Sequence, residues 1–292
     1  MNDLNSEGRT SNIAGPARGW EREMRRARAV QERLLPERGP RSATLECAGI
    51  TIPAAGVGGD SYDFLKPAPR RLAIVVTDVS GKGVPAALMA ASLQASLRSH
   101  FALGAADLGT RLESVNRLFH DYTAPGHFAT LFIGEYDDRT RRLRYANCGH
   151  VPPLLLRCDG SHDWLAPTAG VLGIRADWQA STAATALAPG DTLIVCTDGV
   201  TEAMNPAREE FGLERLAAVA RAARRLAPRA LLQTVLDEVR RFGGGRLADD
   251  LTLVVARPGV PAGAWAGSRI AHGNGAGEGR RVGGDADLRS SW

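Results

Sequence analysis

The chain has 292 residues, of which 44% are hydrophobic and 23% are charged. These fractions are typical of a soluble globular protein and exclude a wholly disordered or fibrous chain. No stretch approaches the roughly 20 uninterrupted apolar residues that a membrane-spanning helix needs, and the polar N-terminus lacks the apolar segment of a secretory signal. We therefore expect a cytoplasmic protein with one large domain or two small ones.

The formal net charge is +4, and all but two of the 36 basic residues are arginines. These arginines are scattered, and aromatic residues make up only 5% of the chain, whereas nucleic-acid-binding proteins cluster the two types together. We therefore expect neither a nucleic acid nor a membrane as a partner. The four cysteines lack the spacing of a zinc site or a disulfide framework, which predicts reduced, buried thiols at Cys47, Cys148, Cys158 and Cys196.

The N-terminal part of the chain divides into two predicted segments. Residues 1–19 are polar, lack apolar periodicity and are expected to be disordered. Residues 20–42 are predicted to form a linker or dimerisation helix, helical from Trp20 to Leu35 and ended by Pro36. Its a/d positions form a seam of about two heptads that either packs on the chain's own domain or pairs two chains: Trp20, Met24, Ala27, Gln31 and Leu34.

Residues 43–257 are predicted to form the folded domain, and the glycine-rich residues 258–292 a disordered tail. Helices alternate with strands only in part, and a turn at 137–140 predicts a hairpin without an intervening helix. This order favours a mostly antiparallel α+β sandwich over a doubly wound sheet. Strands are predicted at 72–78, 129–136, 142–147, 153–157, 192–197 and 251–256, and helices at 85–99, 108–122, 213–223 and 228–242.

Aspartates occur at four places next to glycine-rich turns or the ends of apolar strands. A carboxylate at the end of a buried strand is costly unless something pairs with it, and converging carboxylates repel one another. A cation is their natural partner, and oxygen ligands without histidine or cysteine favour Mg²⁺ or Mn²⁺. The four segments are Gly58–Asp63, Thr77–Gly83, Cys196–Gly199 and Ala248–Thr252.

The order and spacing of these motifs resemble the PPM family of metal-dependent protein serine/threonine phosphatases, in its bacterial SpoIIE/RsbU-like branch. The resemblance extends from about Trp20 to Arg257. Cys148 stands where the family usually has alanine, a small substitution that affects no expected ligand. The matching segments are Gln31–Pro36, Gly58–Phe64, Asp78–Leu88, Phe128–Phe132, Ala146–Pro153, Leu172–Ile174, Thr197–Glu202 and Asp249–Thr252.

The resemblance implies an αββα four-layer sandwich of two mostly antiparallel sheets, with two Mn²⁺ or Mg²⁺ ions at the sheet edge. Asp78 would bridge the two ions, and Asp60 and the backbone carbonyl of Val79 would bind one of them. Asp198 and Asp249 would complete the ligands of the other. Two such cations would lower the pKa of a shared water and hold the oxygens of a transferring phosphoryl group.

Further residues take supporting roles by the same resemblance. Gly81 and Gly83 allow the backbone to approach the metal ligands, and Pro85 begins a helix that resembles a regulatory switch element. Gln31 belongs to the linker helix that would act on this switch. Lys82 either holds the anionic substrate or pairs with an aspartate.

Three residues near the motifs remain as candidates for substrate binding or support. His150 either donates to phosphate, shuttles a proton or is a satisfied structural histidine. Asp63 and Asp250 are expected to support the metal ligands by hydrogen bonding.

The implied activity is a phosphoserine/phosphothreonine protein phosphatase, with a phosphorylated STAS-domain anti-sigma factor antagonist as the expected substrate and a weak homodimer through residues 20–35. One alternative is an inactive scaffold member of the same family, which would be expected to lack a metal-binding aspartate. A third hypothesis is a small-molecule phosphoesterase that uses the same metals, and turnover of phosphoprotein against phosphorylated metabolites would distinguish it.

Overall fold

A computed structural model of the chain describes residues 14–36, 42, 44–102, 106–245 and 247–259. Ten strands form two sheets of five, and every pairing between these strands is antiparallel. The strands are β1 (Leu45–Ile52), β2 (Asp60–Ala68), β3 (Arg71–Val79), β4 (Ala129–Asp137), β5 (Arg142–Cys148), β6 (Leu154–Leu156), β7 (His162–Trp164), β8 (Ala183–Ala186), β9 (Thr192–Cys196) and β10 (Leu251–Pro258).

Six helices accompany the sheets in the described ranges. No helix there is both long and apolar enough to cross a bilayer. The helices are α1 (Ala14–Leu34), α2 (Gly83–Ala102), α3 (Leu108–Tyr122), α4 (Asp198–Thr201), α5 (Gly212–Ala222) and α6 (Pro228–Phe242).

The two sheets stack face to face between two layers of helices. The first sheet has the order β1-β10-β9-β6-β7 and packs its outer face on α5 and α6, while the second has the order β2-β3-β4-β5-β8 and packs on α2 and α3. A third apolar cluster fills the space between the sheets. These layers confirm the predicted αββα sandwich and its antiparallel character.

Period-two alternation along β3 builds two of these clusters at once. Leu72, Ile74 and Val76 point into the space between the sheets, whereas Ala73 and Val75 face α2 and α3. Because both faces are covered, the strand is a nearly continuous apolar run that ends at Asp78.

The helix α1 begins earlier than predicted. The expected disordered segment at residues 1–19 is wrong from Ala14 onward, and residues 1–13 lie outside the described part. Pro16 is the third residue of the helix, where a backbone N–H has no acceptor within the helix. A proline is therefore compatible with this first turn, although it contributed to the expectation of disorder. The helix ends at Leu34, one residue before the predicted end.

The other predicted elements are found within a few residues of their expected bounds, and α3 and α6 match to the residue. Asp107 caps α3 by accepting a hydrogen bond from the Thr110 N–H, and Pro228 is the first residue of α6. The predicted hairpin joins β4 to β5. The expectation that all four cysteines are buried is wrong for Cys158, which is exposed. Of the predicted tail, the residues from 260 onward lie outside the described part.

Candidate metal centre

The predicted ligands from both sheets lie at one end of the sandwich. Asp60 is the first residue of β2 and is paired in register with Asp78, which lies one residue before the end of β3. From the other sheet, Asp198 follows β9 as the first residue of α4, and Asp249 lies two residues before β10. The fold therefore brings together aspartates that are far apart in the chain.

Burial and mutual repulsion raise the pKa values of three of these carboxyl groups, those of Asp60, Asp78 and Asp198. Desolvation is the larger cause for Asp60, followed by the charge of Asp78, and Asp60 is only 3% exposed. The pKa of Asp78 rises to about 7, through burial first and then through Asp198 and Asp249. The pKa of Asp198 is also raised, by burial and by Asp249.

Two residues that the motif analysis did not single out belong to the same cluster. The Thr197 hydroxyl donates a 2.7 Å hydrogen bond to Asp60 Oδ2 and accepts one from the Thr252 N–H. Glu202 adds a further acidic charge that raises the pKa of Asp78. Thr197 and Glu202 lie in the same short segment as Asp198, so their position in the motif was the available signal.

Asp250 bonds the backbone of the segment that leads into Asp60. Its carboxylate accepts 2.8 Å hydrogen bonds from the N–H groups of Ala54 and Gly59. A Cβ at Gly58 would lie 1.9 Å from Asp250 Oδ2, and one at Gly199 would lie 1.9 Å from the Asp250 carbonyl oxygen. The glycines are therefore required for the close packing that holds Asp250 in place.

The Val79 carbonyl lies beside the segment that leads into Asp60. The Val79 N–H donates to the Gly59 carbonyl at 3.3 Å, and a Cβ at Gly59 would lie only 2.4 Å from Val79 O. This close approach places the expected carbonyl ligand next to the first residue of β2.

Asp63 does not join the carboxylate cluster. Residues three apart in a strand point to opposite faces, so Asp63 faces α2 while Asp60 faces the cluster. Its carboxylate accepts hydrogen bonds from Phe64 N–H, Gln94 and Arg98. The expectation that Asp63 hydrogen-bonds a metal ligand has no support in these contacts.

Lys82 pairs with an aspartate, one of the two roles considered for it. Its ammonium group lies 2.9 Å from Asp249 Oδ2 and donates to the Ala248 carbonyl at 3.1 Å. Gly81 and Gly83 on either side have positive φ values of 97° and 71°, which suit glycine, and α2 begins at Gly83, two residues before the predicted Pro85.

His150 is enclosed. It is 3% exposed, its ring Nδ1 lies 2.8 Å from the Thr130 hydroxyl, and its backbone N–H donates to Asn147 Oδ1. Burial lowers the pKa of His150 to about 4, so the ring is neutral near pH 7. The second ring nitrogen, Nε2, is buried without a hydrogen-bond partner among the described residues, so the ring is only partly satisfied. Its burial favours the structural role over proton transfer.

Gln31 of α1 contacts the loop that precedes Asp60. Its side-chain amide donates to the Gly58 carbonyl at 2.7 Å and accepts from the Gly58 N–H at 3.1 Å. Two nearby seam positions differ in environment, since Met24 lies against Gly56 while Trp20 is 64% exposed. The C-terminal half of the seam therefore packs on the chain's own domain.

The donor set fits a hard divalent cation in its chemistry, because it consists of buried, mutually repelling oxygen ligands. Among the described residues, however, no three histidine, cysteine or acidic side chains are assembled into a group that could hold a metal ion as they stand. The carboxylates are close enough to raise one another's pKa values without forming a complete ligand shell.

Comparison with known proteins identifies the family. A family model described as Stage II sporulation protein E (SpoIIE) matches residues 68–258, which is more than half of the chain. The chain belongs to the SpoIIE family. The match covers the segments of Asp78, Asp198 and Asp249 and begins after Asp60.

Two curated relatives are similar over most of the folded part. Protein IcfG of Synechocystis is 32% identical over 221 residues, which cover 66% of this chain and 35% of that protein. Phosphoserine phosphatase RsbU of Bacillus subtilis is 29% identical over 231 residues, which cover 78% of this chain and 68% of RsbU. The chain thus spans about a third of the first relative and about two thirds of the second.

Solved structures share the fold. The SiaA-PP2C domain of Pseudomonas aeruginosa matches with a TM-score of 0.74 and 24% identity, covering 85% of this chain and 99% of that domain. The RsbU and RsbW domains of a Mycobacterium tuberculosis protein match with a TM-score of 0.67 and 28% identity, covering 78% of this chain and 64% of that one. The chain therefore shares its fold with the SiaA-PP2C domain and with these RsbU and RsbW domains.

The raised carboxyl pKa values predict how stability depends on pH. The pKa of Asp78 is about 7 in the folded chain against an ordinary value of 3.8, so the folded state binds the extra proton and its stability falls as pH rises through this window. In EDTA, urea denaturation should show the free energy of unfolding falling between pH 5 and pH 7, with Asp78→Asn reducing that fall by about 2 kcal/mol. Asp121→Asn, which changes an exposed side chain, is the matched control, and its free energy of unfolding should fall with pH as steeply as that of the wild type. Equal slopes for Asp78→Asn and the wild type would contradict the repulsion.

The Lys82–Asp249 pair predicts competition with a bound cation. Lys82→Met should tighten Mn²⁺ binding by about two- to fivefold in calorimetry at low ionic strength, since exposed ion pairs contribute about 0.2–1 kcal/mol. Lys66→Met changes the only other lysine of the chain and is the matched control. Weaker or unchanged Mn²⁺ binding in Lys82→Met would show that the ammonium group does not oppose the cation.

Proposed function

We propose that this chain is an active metal-dependent phosphoserine/phosphothreonine protein phosphatase. The observation that carries the proposal is the convergence of Asp60 and Asp78, paired across β2 and β3, with Asp198 and Asp249 from the other sheet. Burial first, and neighbouring carboxylates second, raise the pKa values of Asp60, Asp78 and Asp198, which supports a cluster of interacting charges. An inactive scaffold would have no need to keep all four of these costly carboxylates.

In this proposal the chain holds two Mn²⁺ or Mg²⁺ ions with side-chain and backbone oxygens. Asp60, Asp78 and the Val79 carbonyl would hold one ion, and Asp78, Asp198 and Asp249 would hold the other. When bound, such ions supply Lewis acidity that activates water and neutralises phosphoryl charge. Asp250 and Thr197 fix the backbone and carboxylate of the ligand segments through their hydrogen bonds.

The site's exposure is compatible with a phosphorylated side chain on a protein surface. Lys82 and Asp249 have side chains that are 61% and 43% exposed, so this side of the cluster is open to a large partner. If Asp249 held a divalent cation, the ammonium group of Lys82 would be free for an incoming phosphate. This arrangement unites the two roles considered for Lys82.

The proposed substrate is a phosphorylated STAS-domain anti-sigma factor antagonist. Its support is the similarity to a phosphoserine phosphatase named RsbU and to a protein in which an RsbU domain accompanies an RsbW domain. The protein would then act in partner-switching regulation. A cytoplasmic location agrees with this role and stays a prediction.

We further propose that α1 regulates the site through two contacts. Gln31 holds Gly58, two residues before Asp60, and the carbonyl of Leu34 accepts hydrogen bonds from Gln94 and Arg98 of α2. Movement of α1 would therefore displace both the Asp60 segment and the helix that follows Lys82. The exposed Trp20 is available for a weak dimer through residues 20–35.

Substitution of a proposed ligand tests the activity. Asp198→Asn should fold and lose phosphatase activity by about a hundredfold or more, because a neutral amide is a poor ligand for a hard dication. The assay compares a phosphorylated STAS-domain protein with free O-phosphoserine at saturating Mn²⁺, and Asp121→Asn is the control. Near-normal turnover in Asp198→Asn would contradict the assignment, and preference for the free amino acid would favour the small-molecule phosphoesterase.

The contact between Gln31 and Gly58 predicts a loss of activity without a change in association. Gln31→Ala removes both hydrogen bonds to Gly58, so phosphatase activity should fall about three- to tenfold while the sedimentation coefficient stays the same. Gln233→Ala on α6, whose amide bonds Asp237, is the matched control. A shift to monomer in Gln31→Ala would show that Gln31 acts in the dimer seam instead. Unchanged activity would show that Gln31 does not regulate the site.

A further inference from the structure

A loop beside the candidate metal centre contains the motif segment Leu172–Ile174. Leu172 forms an antiparallel bridge with Ala129, in which the two residues exchange backbone hydrogen bonds of 3.0 and 2.9 Å. Ala129 is in turn paired with Val79, whose carbonyl is a proposed ligand. Since neighbouring strands lie about 4.8 Å apart, Leu172 is about 10 Å from Val79 across the edge of the sheet.

This loop runs toward the same end of the sandwich as the proposed ligands. Its bridge to β4 is antiparallel, and β4 is antiparallel to β3, so the loop has the direction of β3. The strand β3 ends at Val79 and continues into Gly81 and Lys82, beside the carboxylates. Ile174 comes two residues after Leu172 and therefore lies just beyond the sheet edge, on the rim of the candidate site.

Ile174 is 51% exposed although the backbone on both sides of it is fixed. The buried side chain of Asn116 on α3 accepts from the Gly173 N–H at 2.9 Å and donates to the Arg175 carbonyl at 2.8 Å. Gly173 has a φ of 92°, and a Cβ there would lie 3.0 Å from the Phe119 ring. A single exposed apolar side chain is ordinary, but one held by a buried amide and a required glycine is preorganised for contact.

The surface next to Ile174 favours apolar contact. The neighbouring guanidinium group of Arg175 is paired with Asp177 through hydrogen bonds of 3.0 and 2.8 Å. The helix α3 ends at the same end of the sandwich, because the segment after it enters β4 at Ala129, and its last residue, Tyr122, is exposed. The rim therefore presents apolar side chains beside the acidic cluster.

We propose that Ile174 contacts the protein surface around the phosphorylated residue of the substrate and so selects a phosphoprotein over a small phosphate ester. This inference rests on the proposed function. A standard protein–protein interface buries about 800 Å² of each partner, which corresponds to a disc of about 16 Å radius. A phosphoserine bound at the carboxylates would bring such a surface over the rim. The partner surface is expected to carry an apolar patch beside its phosphorylated residue.

The test compares two substrates in steady-state kinetics with the full chain at saturating Mn²⁺. One is a phosphorylated STAS-domain protein, and the other is p-nitrophenyl phosphate, which has no protein surface to contact Ile174. Ile174→Asp should raise KM for the phosphoprotein about tenfold and leave kcat within about twofold, because a contact made equally in the bound and transition states affects KM. The kcat/KM for p-nitrophenyl phosphate should equal that of the wild type.

Two matched variants separate docking from folding. Ile174→Leu keeps an apolar side chain of the same size and should retain the wild-type KM for the phosphoprotein. Leu226→Asp makes the same change at an exposed apolar residue whose carbonyl contacts Arg257, near the other end of β10 from the carboxylates. It should leave the kinetics of both substrates unchanged.

The docking role is overturned if Ile174→Asp leaves the KM for the phosphoprotein unchanged, or if it slows both substrates equally, as a loss of local structure would. A changed sedimentation coefficient in Ile174→Asp would assign the side chain to a contact between two copies of this chain and would also overturn the docking role. A wild-type chain that does not hydrolyse the phosphoprotein contradicts the proposed function and this inference with it. An active wild type with an unaffected Ile174→Asp variant contradicts the docking role alone.

Discussion

The repulsion between Asp60 and Asp78, held opposite each other on adjacent strands, is the constraint around which this end of the molecule is organised. The two sheets bring further acidic groups to them, so the site has more negative charge than its own hydrogen bonds compensate. The positively charged side chain that pairs with this cluster in the described part of the chain is that of Lys82, through Asp249. A site with this balance is suited to binding cations.

The glycines around the cluster show how closely the backbone must pack to keep this arrangement. A side chain at Gly58 or Gly199 would overlap Asp250, and one at Gly59 would overlap Val79 O. The α1 contact falls on the same loop, because Gln31 binds both backbone groups of Gly58. The loop that leads into Asp60 therefore joins the acidic cluster to the N-terminal helix. A movement of this loop would therefore affect both the acidic cluster and α1.

Much of the fold follows from sequence patterns, since α3 and α6 have clear terminal signals in Asp107 and Pro228. The strand β2 was harder to predict, because Asp60 and Asp63 interrupt its apolar pattern. Asp60 pairs with Asp78 across the sheet, and Asp63 contacts α2. The family resemblance put Asp60, Asp78, Asp198 and Asp249 in one ligand group, and it led us to expect that Asp63 supports them by hydrogen bonding. Strand geometry separates Asp63, and its contacts with Gln94 and Arg98 depend on long-range packing that no local pattern reveals.

The central claim is that the acidic cluster is a cation site shared by the two sheets. Anomalous diffraction from crystals grown with Mn²⁺ tests it most directly, because the signal locates manganese independently of any assumed ligand. The account predicts two anomalous peaks at the cluster, with Asp78 contacting both, Asp60 and Val79 O one, and Asp198 and Asp249 the other. Crystals saturated with Mn²⁺ that show no peak at these carboxylates would contradict the account.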